Sequence, residues 1–181
     1  MGAQRIPVPV TVAEWEKIPN PPDGHYELHH GEIVLVTRPV RRHWDLQRRL
    51  ERLLAAVYEP ARYVVGVEYP YRPLPENEIW GADVACIARE RHEAVEKWLL
   101  GSPEFVIEVK SPSNTKTELN DKAMTTLAGH GAVEFWIVDP ETQSVTVHRK
   151  SGMAVYRAQQ DIPLSGTDSS LSVDAIFVDI R

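Results

Sequence analysis

Two rhythms of apolar and polar residues run along this chain, and the changes from one to the other mark its elements. From Arg42 to Tyr58 the residues Leu46, Leu50, Leu53, Leu54 and Val57 recur every three or four positions, the spacing of an amphipathic helix, which Pro60 ends. A second helix is predicted over Glu118 to Ala128, with Leu119, Ala123 and Leu127 on one face and Gly129 as its stop. Thr11-Val-Ala-Glu14 has the form of a capping box opening a short helix, and another short helix is predicted from Glu90 to Leu99. Elsewhere the period is two. After the turn-rich NPPDG, the run YELHHGEIVLV reads as two strands reversing at His30-Gly31. Strands are predicted for Arg62 to Tyr71 and Ala82 to Ala88, with PLPENE as the loop between them. FVIEV, VEFWIVD, SVTVHRK and GMAVYRA come next as strands, with Asp139-Pro140 and Ser151-Gly152 as turns and the tail LSVDAIFVDI grouped into the same β-rich half. Helices and strands in this order imply an α/β (α+β) fold, a central mixed sheet flanked by helices.

Charge breaks two of the apolar runs. In FVIEVK, Glu108 and Lys110 are two residues apart, so they are expected to project from one face while Phe105, Ile107 and Val109 enter the core. In ADVACIA, Asp83 is the only ionisable carboxylate among small and aliphatic side chains. Burial drives such a group toward its neutral form unless a cation, a hydrogen-bond network or water reaches it. For one strand carboxylate alone, an ion pair with arginine is the ordinary answer. An Asp on one strand and a Glu-x-Lys on an adjacent one offer more: two hard oxygen ligands beside an ammonium group. Mg²⁺ accepts that sparse set, since it keeps several waters and takes one or two carboxylates together with phosphate oxygens. The ion would lower the pKa of a bound water and stabilise phosphoryl charge, with Lys110 orienting the water or screening the phosphorane.

Composition narrows the class. A chain of 181 residues, 43% hydrophobic and 25% charged, is expected to form one domain, residues 1-181, around a real core. The single cysteine, Cys86, excludes an internal disulfide framework. The opening MGAQRIPVPV has no apolar secretory segment, Ile6 stands where a myristoylation signal wants Ser or Thr, and no apolar run approaches the ~18 residues of a membrane span. A cytoplasmic protein without membrane attachment is expected. The net charge of −6 argues against gripping nucleic acid over the whole surface. Locally, however, RPVRRHWDLQRRLER gathers Arg38, Arg41, Arg42, Arg48, Arg49 and Arg52, ordinarily the mark of a solvated helix face. His25, His29 and His30 lie close together without a cysteine at ligand spacing, so a closed zinc site is set aside. Trp44, Trp80, Trp98 and Trp136 are read as packing residues.

Asp83 followed by Glu108-Val109-Lys110 resembles the PD-(D/E)XK nuclease signature. YELHHGEIV, PEFVIEVKSPSN, the helix carrying Lys122 and GAVEFWIVDP together resemble the Uma-type restriction endonuclease family, over about residues 10 to 150. The resemblance implies a restriction-endonuclease-like fold, with Asp83 and Glu108 as metal ligands, the Val109 carbonyl completing the site and Glu27 as an additional acidic residue. Lys110 matches the catalytic lysine of the signature, and relatives lacking that residue recruit one from the helix that here carries Lys122. Ala82 replaces the signature's proline, which removes no ligand. The activity implied by the resemblance is that of a Mg²⁺-dependent endonuclease, with Mn²⁺ able to substitute, acting on double-stranded DNA as a homodimer. Arg41, Arg42, His43 and Arg48 would then meet the DNA backbone. The alternatives are a catalytically inactive module of the same fold that binds DNA or a protein, and a metal-dependent hydrolase with another substrate.

Overall fold

The structure, a computed structural model, describes residues 9–179; Ile6 and the Met-Gly opening, together with the last residue of the LSVDAIFVDI tail, lie outside the described residues. In chain order the elements are α1 (Val12–Trp15), β1 (Gly24–His29), β2 (Glu32–Thr37), α2 (Arg41–Ala55), β3 (Tyr63–Arg72), β4 (Trp80–Ala88), α3 (Arg89–Glu93), β5 (Leu99–Leu100), β6 (Phe105–Val109), α4 (Lys116–Ala128), β7 (Glu134–Asp139), β8 (Ser144–Arg149), β9 (Gly152–Tyr156), β10 (Asp161–Pro163), β11 (Ser170–Ser172) and α5 (Val173–Phe177). Seven strands form one mixed sheet in the order β5-β3-β4-β6-β7-β8-β9. β6 and β7 run parallel, which α4 makes possible by crossing between them, while β4 pairs antiparallel with both β3 and β6.

Helices cover both faces. On one side Leu46, Leu50 and Leu54 of α2, with Ile176 and Phe177 of α5, pack on Val84, Cys86, Phe105, Ile107, Val109 and Trp136. On the other, Leu119, Ala123 and Leu127 of α4 pack on Ala85, Ile87, Val106 and Phe135. The apolar stripes predicted for both long helices are the stripes that the sheet buries. Threonine caps set the helix starts: Thr11 with Glu14, and Thr115 with Glu118, each form the reciprocal capping box. Gly129 ends α4 with φ −64°, so its role is space: an added Cβ would stand 2.3 Å from Ser102 Oγ.

The hairpin of β1 and β2 turns at His30 (φ 52°) and Gly31 (φ 78°), as predicted. It is a separate two-stranded sheet, joined to the rest where Leu28 and Ile79 exchange backbone hydrogen bonds of 2.9 and 2.8 Å. Two predicted elements differ. The helix expected from Glu90 to Leu99 ends at Glu93, and Leu99–Leu100 instead add a short parallel strand beside β3. Within the tail, Val173–Phe177 is helical because Val173, Ile176 and Phe177, at helical spacing, bury one face against α2. Among the described residues no helix is long and apolar enough to cross a membrane. Trp80 and Trp136 are buried as expected, whereas Trp44 is 51% exposed.

Glu134, fully buried on β7, shows the ordinary solution for a carboxylate in a sheet. It accepts hydrogen bonds from Arg149 Nε and Trp136 Nε1, both at 2.6 Å, and from the Ser165 backbone N–H at 3.2 Å. Glu134→Ala would leave these donors unpaired and is expected to cost about 3 kcal/mol in urea unfolding. Glu134→Gln, which keeps an acceptor, is expected to cost clearly less.

Candidate active site

The register of β4 against β6 pairs Val84 with Ile107; one step further along the antiparallel ladder, Asp83 stands across from Glu108. The Val109 backbone N–H donates to Asp83 Oδ2 at 2.6 Å, tying the two strands at this point. On the other neighbour the ladder is interrupted: β3 pairs Val67 with Val84 and Tyr69 with Ala82, but Glu68, with φ 51°, does not pair with Asp83. The interruption changes the face that each strand presents. Val65 and Val67 pack against the α2 core while Tyr69 and Tyr71 pack against the α4 core, and Val84 and Ala82 divide in the same way. Asp83 therefore occupies a kink where the sheet core gives way to a cleft. That cleft, about 600 Å³, is lined by Glu27, Asp83, Glu108 and Lys122, with Val34 and Val36 of the hairpin among its other walls.

Lys122, from the second turn of α4, enters the cleft and stands 3.0 Å from Glu108 Oε1 while donating to the Gly81 carbonyl at 2.9 Å. The contact with Glu108 lacks hydrogen-bond geometry, so Oε1 is a buried acceptor without a donor, held by charge alone. Burial pushes the Glu108 carboxyl above its ordinary range; Lys122 opposes the rise, and the like charges of Asp83 and Glu27 add to it. For Lys122 burial works against the charged form, but Glu108 and Glu27 outweigh it, so the amine is held as ammonium. Glu27 is buried, accepting from the Gly81 N–H at 2.9 Å and lying 2.6 Å from His29 Nε2. Its burial would raise the carboxyl, yet Lys122, His25 and His29 hold it well below the carboxylate range. Gly81 joins both groups through its own backbone, and a Cβ there would meet Glu27 Oε1 at 2.9 Å.

Lys110 is placed differently from the expectation that it shares a face with Glu108. It lies just past the end of β6, and its ammonium donates to Asp139 Oδ2 at 2.8 Å. It lines a separate cavity of about 120 Å³ with Val40, Arg42 and Pro140. The β6 ladder stops at Val109, so strand alternation no longer governs the next side chain. Of the helix residues linked to the DNA backbone, Arg41 is almost fully exposed, Arg42 donates to the Pro140 carbonyl at 2.9 Å and Arg48 pairs with Glu51 at 2.5 Å. None of these three lines the 600 Å³ cleft.

His43 does line it, with Nε2 2.9 Å from Asp83 Oδ1. Burial works to lower its pKa, but Asp83 and Glu68 turn the balance upward. One helical turn later Gln47, 1% exposed, donates through Nε2 to Asp83 Oδ1 at 2.8 Å and also to Glu68 Oε1. Gln47 and Glu68 belong to the site although neither interrupts a pattern in the sequence. The available signal was a glutamine beside the Leu46–Leu50 stripe and a glutamate inside YVVGVEYPY. His30 bridges Glu78 and Asp121 at 2.8 and 2.7 Å, so it fastens the hairpin turn to α4.

The donors at Asp83 and Glu108 fit a divalent cation. Gln47, the Val109 N–H and His43 engage three of the roughly four acceptor positions of the ionised Asp83 carboxylate, which leaves one. Glu108 Oε1 has no donor, and a cation would relieve the mutual repulsion of the acidic groups. Among the described residues no group of three or more His, Cys, Asp or Glu side chains is arranged to hold a metal. The fit is thus to an ion that takes few protein ligands and retains water, as Mg²⁺ does.

Comparison with known proteins extends this picture. A search of curated proteins finds no significant match. Among solved structures, the crystal structure of a "putative nuclease belonging to DUF820" from Anabaena variabilis ATCC 29413 superposes with a TM-score of 0.81 at 21% identity, covering 96% of this chain and all of the other. That likeness shows a shared fold, a mixed sheet between helices. The sequence model of the Uma2 family, described as "Putative restriction endonuclease", matches residues 12–178. The chain belongs to the Uma2 family.

Proposed function

We propose that this protein is a Mg²⁺-dependent endonuclease that hydrolyses phosphodiester bonds of DNA at the Asp83–Glu108 cleft. The observation that carries the reading is that Asp83, Glu108 and Lys122 line one cleft, with the Lys122 ammonium 3.0 Å from Glu108. Family membership and the nuclease description of the Anabaena relative support it.

Asp83 and Glu108 would hold the cation, with the Val109 backbone beside them. When bound, it would supply an acidified water and neutralise charge growing on the phosphoryl oxygens. Asp83 is aimed by the Val109 N–H and by Gln47, so its position is set before substrate arrives. Glu108 and Glu27 favour the ammonium form of Lys122, which suits it to orient the attacking water or stabilise the phosphorane as a positive charge. Glu27 keeps Lys122 charged and, through Gly81, in place. The exposed Arg41 at the start of α2 would give a salt-sensitive contact to the DNA backbone without sequence information. A homodimer would bring two such clefts to the two strands of a duplex.

The direct test is incubation of supercoiled plasmid with purified protein, in chelator and then with Mg²⁺ or Mn²⁺. Nicked and linear products are expected only with metal. An intact plasmid under all three conditions, with the protein shown to be folded, favours the non-catalytic binding module instead.

A further inference from the structure

We propose that a second cavity beside the carboxylate cleft receives a nucleobase of the substrate strand, turned out of its stack. The proposal rests on the nuclease reading and adds a base-binding subsite to it. The cavity encloses about 440 Å³ and shares Glu27 and Glu68 with the 600 Å³ cleft, so a strand with its phosphate at the carboxylates lies within reach of it.

The walls are aromatic. Trp15, Tyr26 and Trp98 line the cavity and are each only half-buried. The rings of Trp15 and Trp98 meet edge to face, 5.8 Å apart at 69°. Trp98 is fixed further by its indole N–H, which donates to Glu16 Oε1 at 3.0 Å. With that donor engaged, the group it offers the cavity is ring surface, with the Lys97 ammonium over the ring at 5.7 Å from its centre. A rigid ring with its hydrogen-bonding capacity spent suits stacking, and stacking on aromatic side chains is the sequence-tolerant way of holding an unpaired base.

The charges select a base over a phosphate. Among the described residues lining the cavity, the side chains that carry charge are those of Glu27, Glu68 and His25, with no Lys or Arg. Glu27 is engaged with Gly81, His25 and His29, so Glu68, which meets Gln47 through Oε1, is the carboxylate placed to accept from an exocyclic amine of adenine, cytosine or guanine. Extruding a base costs a few kcal/mol in a duplex and little in a single strand. The subsite therefore predicts tighter binding of single-stranded or locally unpaired DNA.

The experiment uses the full chain in chelator, so that no cleavage occurs, and a single-stranded oligodeoxynucleotide carrying 2-aminopurine at one position. Binding is expected to quench the 2-aminopurine, and replacing that nucleotide by an abasic site is expected to weaken binding about tenfold. Trp98→Leu, verified by thermal melting, is expected to remove the quench and weaken binding by a similar factor. Equal affinity of wild-type protein for the abasic and the intact oligonucleotide overturns the subsite without reference to any variant. If that result comes from protein that cleaves plasmid with Mg²⁺, the subsite falls and the nuclease reading stands. If the protein neither binds the oligonucleotide nor cleaves plasmid, both fall.

Discussion

Asp83→Asn and Glu108→Gln are each expected to reduce metal-dependent DNA cleavage by about a thousandfold or more while leaving the fold intact. Divalent-cation catalysis supplies several kcal/mol of transition-state stabilisation, and each 1.36 kcal/mol is a factor of ten in rate. Amides are the informative replacements here. Asn at position 83 keeps an oxygen for the Val109 N–H at 2.6 Å, whereas alanine would leave that donor unpaired at a cost of about 1–3 kcal/mol. Gln at position 108 removes the charge but not the volume of a buried side chain. Calorimetric titration with Mn²⁺ should show weakened binding in both variants, and thermal melting should stay near that of the parent. Undiminished cleavage by both variants would sink the assignment of these carboxylates.

Much of this site was legible in the sequence because the physics involved is local or strictly periodic. A charge inside an apolar strand is conspicuous, and Asp83 and Glu108 are such charges; strand pairing then needed only adjacency to bring them together. The turn at His30-Gly31 was legible because left-handed backbone at two successive positions favours few residues. What escaped was whatever depended on a break in regularity. Alternation along β3 and β4 fails at Glu68 and Asp83, where the unpaired rung lets each strand change faces, and no count of apolar positions reveals a missing rung. Gln47 gives no distinct signal in the sequence, because a polar residue next to a helical apolar stripe is ordinary; its burial against Asp83 is set by how α2 crosses the sheet. The tail helix is hidden for a similar reason, since Val173 to Phe177 is too short for periodicity to separate it from a strand and docking on α2 decides it.

The two lysines separate most sharply. Lys122→Met is expected to lower turnover by about a hundred- to a thousandfold, the usual effect of removing one fixed charge aimed at the transition state. Lys110→Met is expected to stay within about threefold of the parent, because the Lys110 ammonium is committed to Asp139 in the neighbouring cavity. Cation binding adds a readout whose sign distinguishes catalysis from simple structural damage. Lys122 is the positive charge nearest Glu108, so it competes electrostatically with a divalent ion there; its removal should leave cation affinity equal or higher while turnover falls. A variant that lost metal binding and activity together would point to a collapsed cleft. The reverse pattern, an inactive Lys110→Met beside an active Lys122→Met, would return the catalytic role to the strand lysine and require the Lys110–Asp139 pair to open when DNA binds. That pair is partly exposed, so solvent screens it and little opposes its rupture. The expectation for Lys122 therefore rests on which amine already stands at the carboxylates, 3.0 Å from Glu108, and needs no rearrangement of the protein.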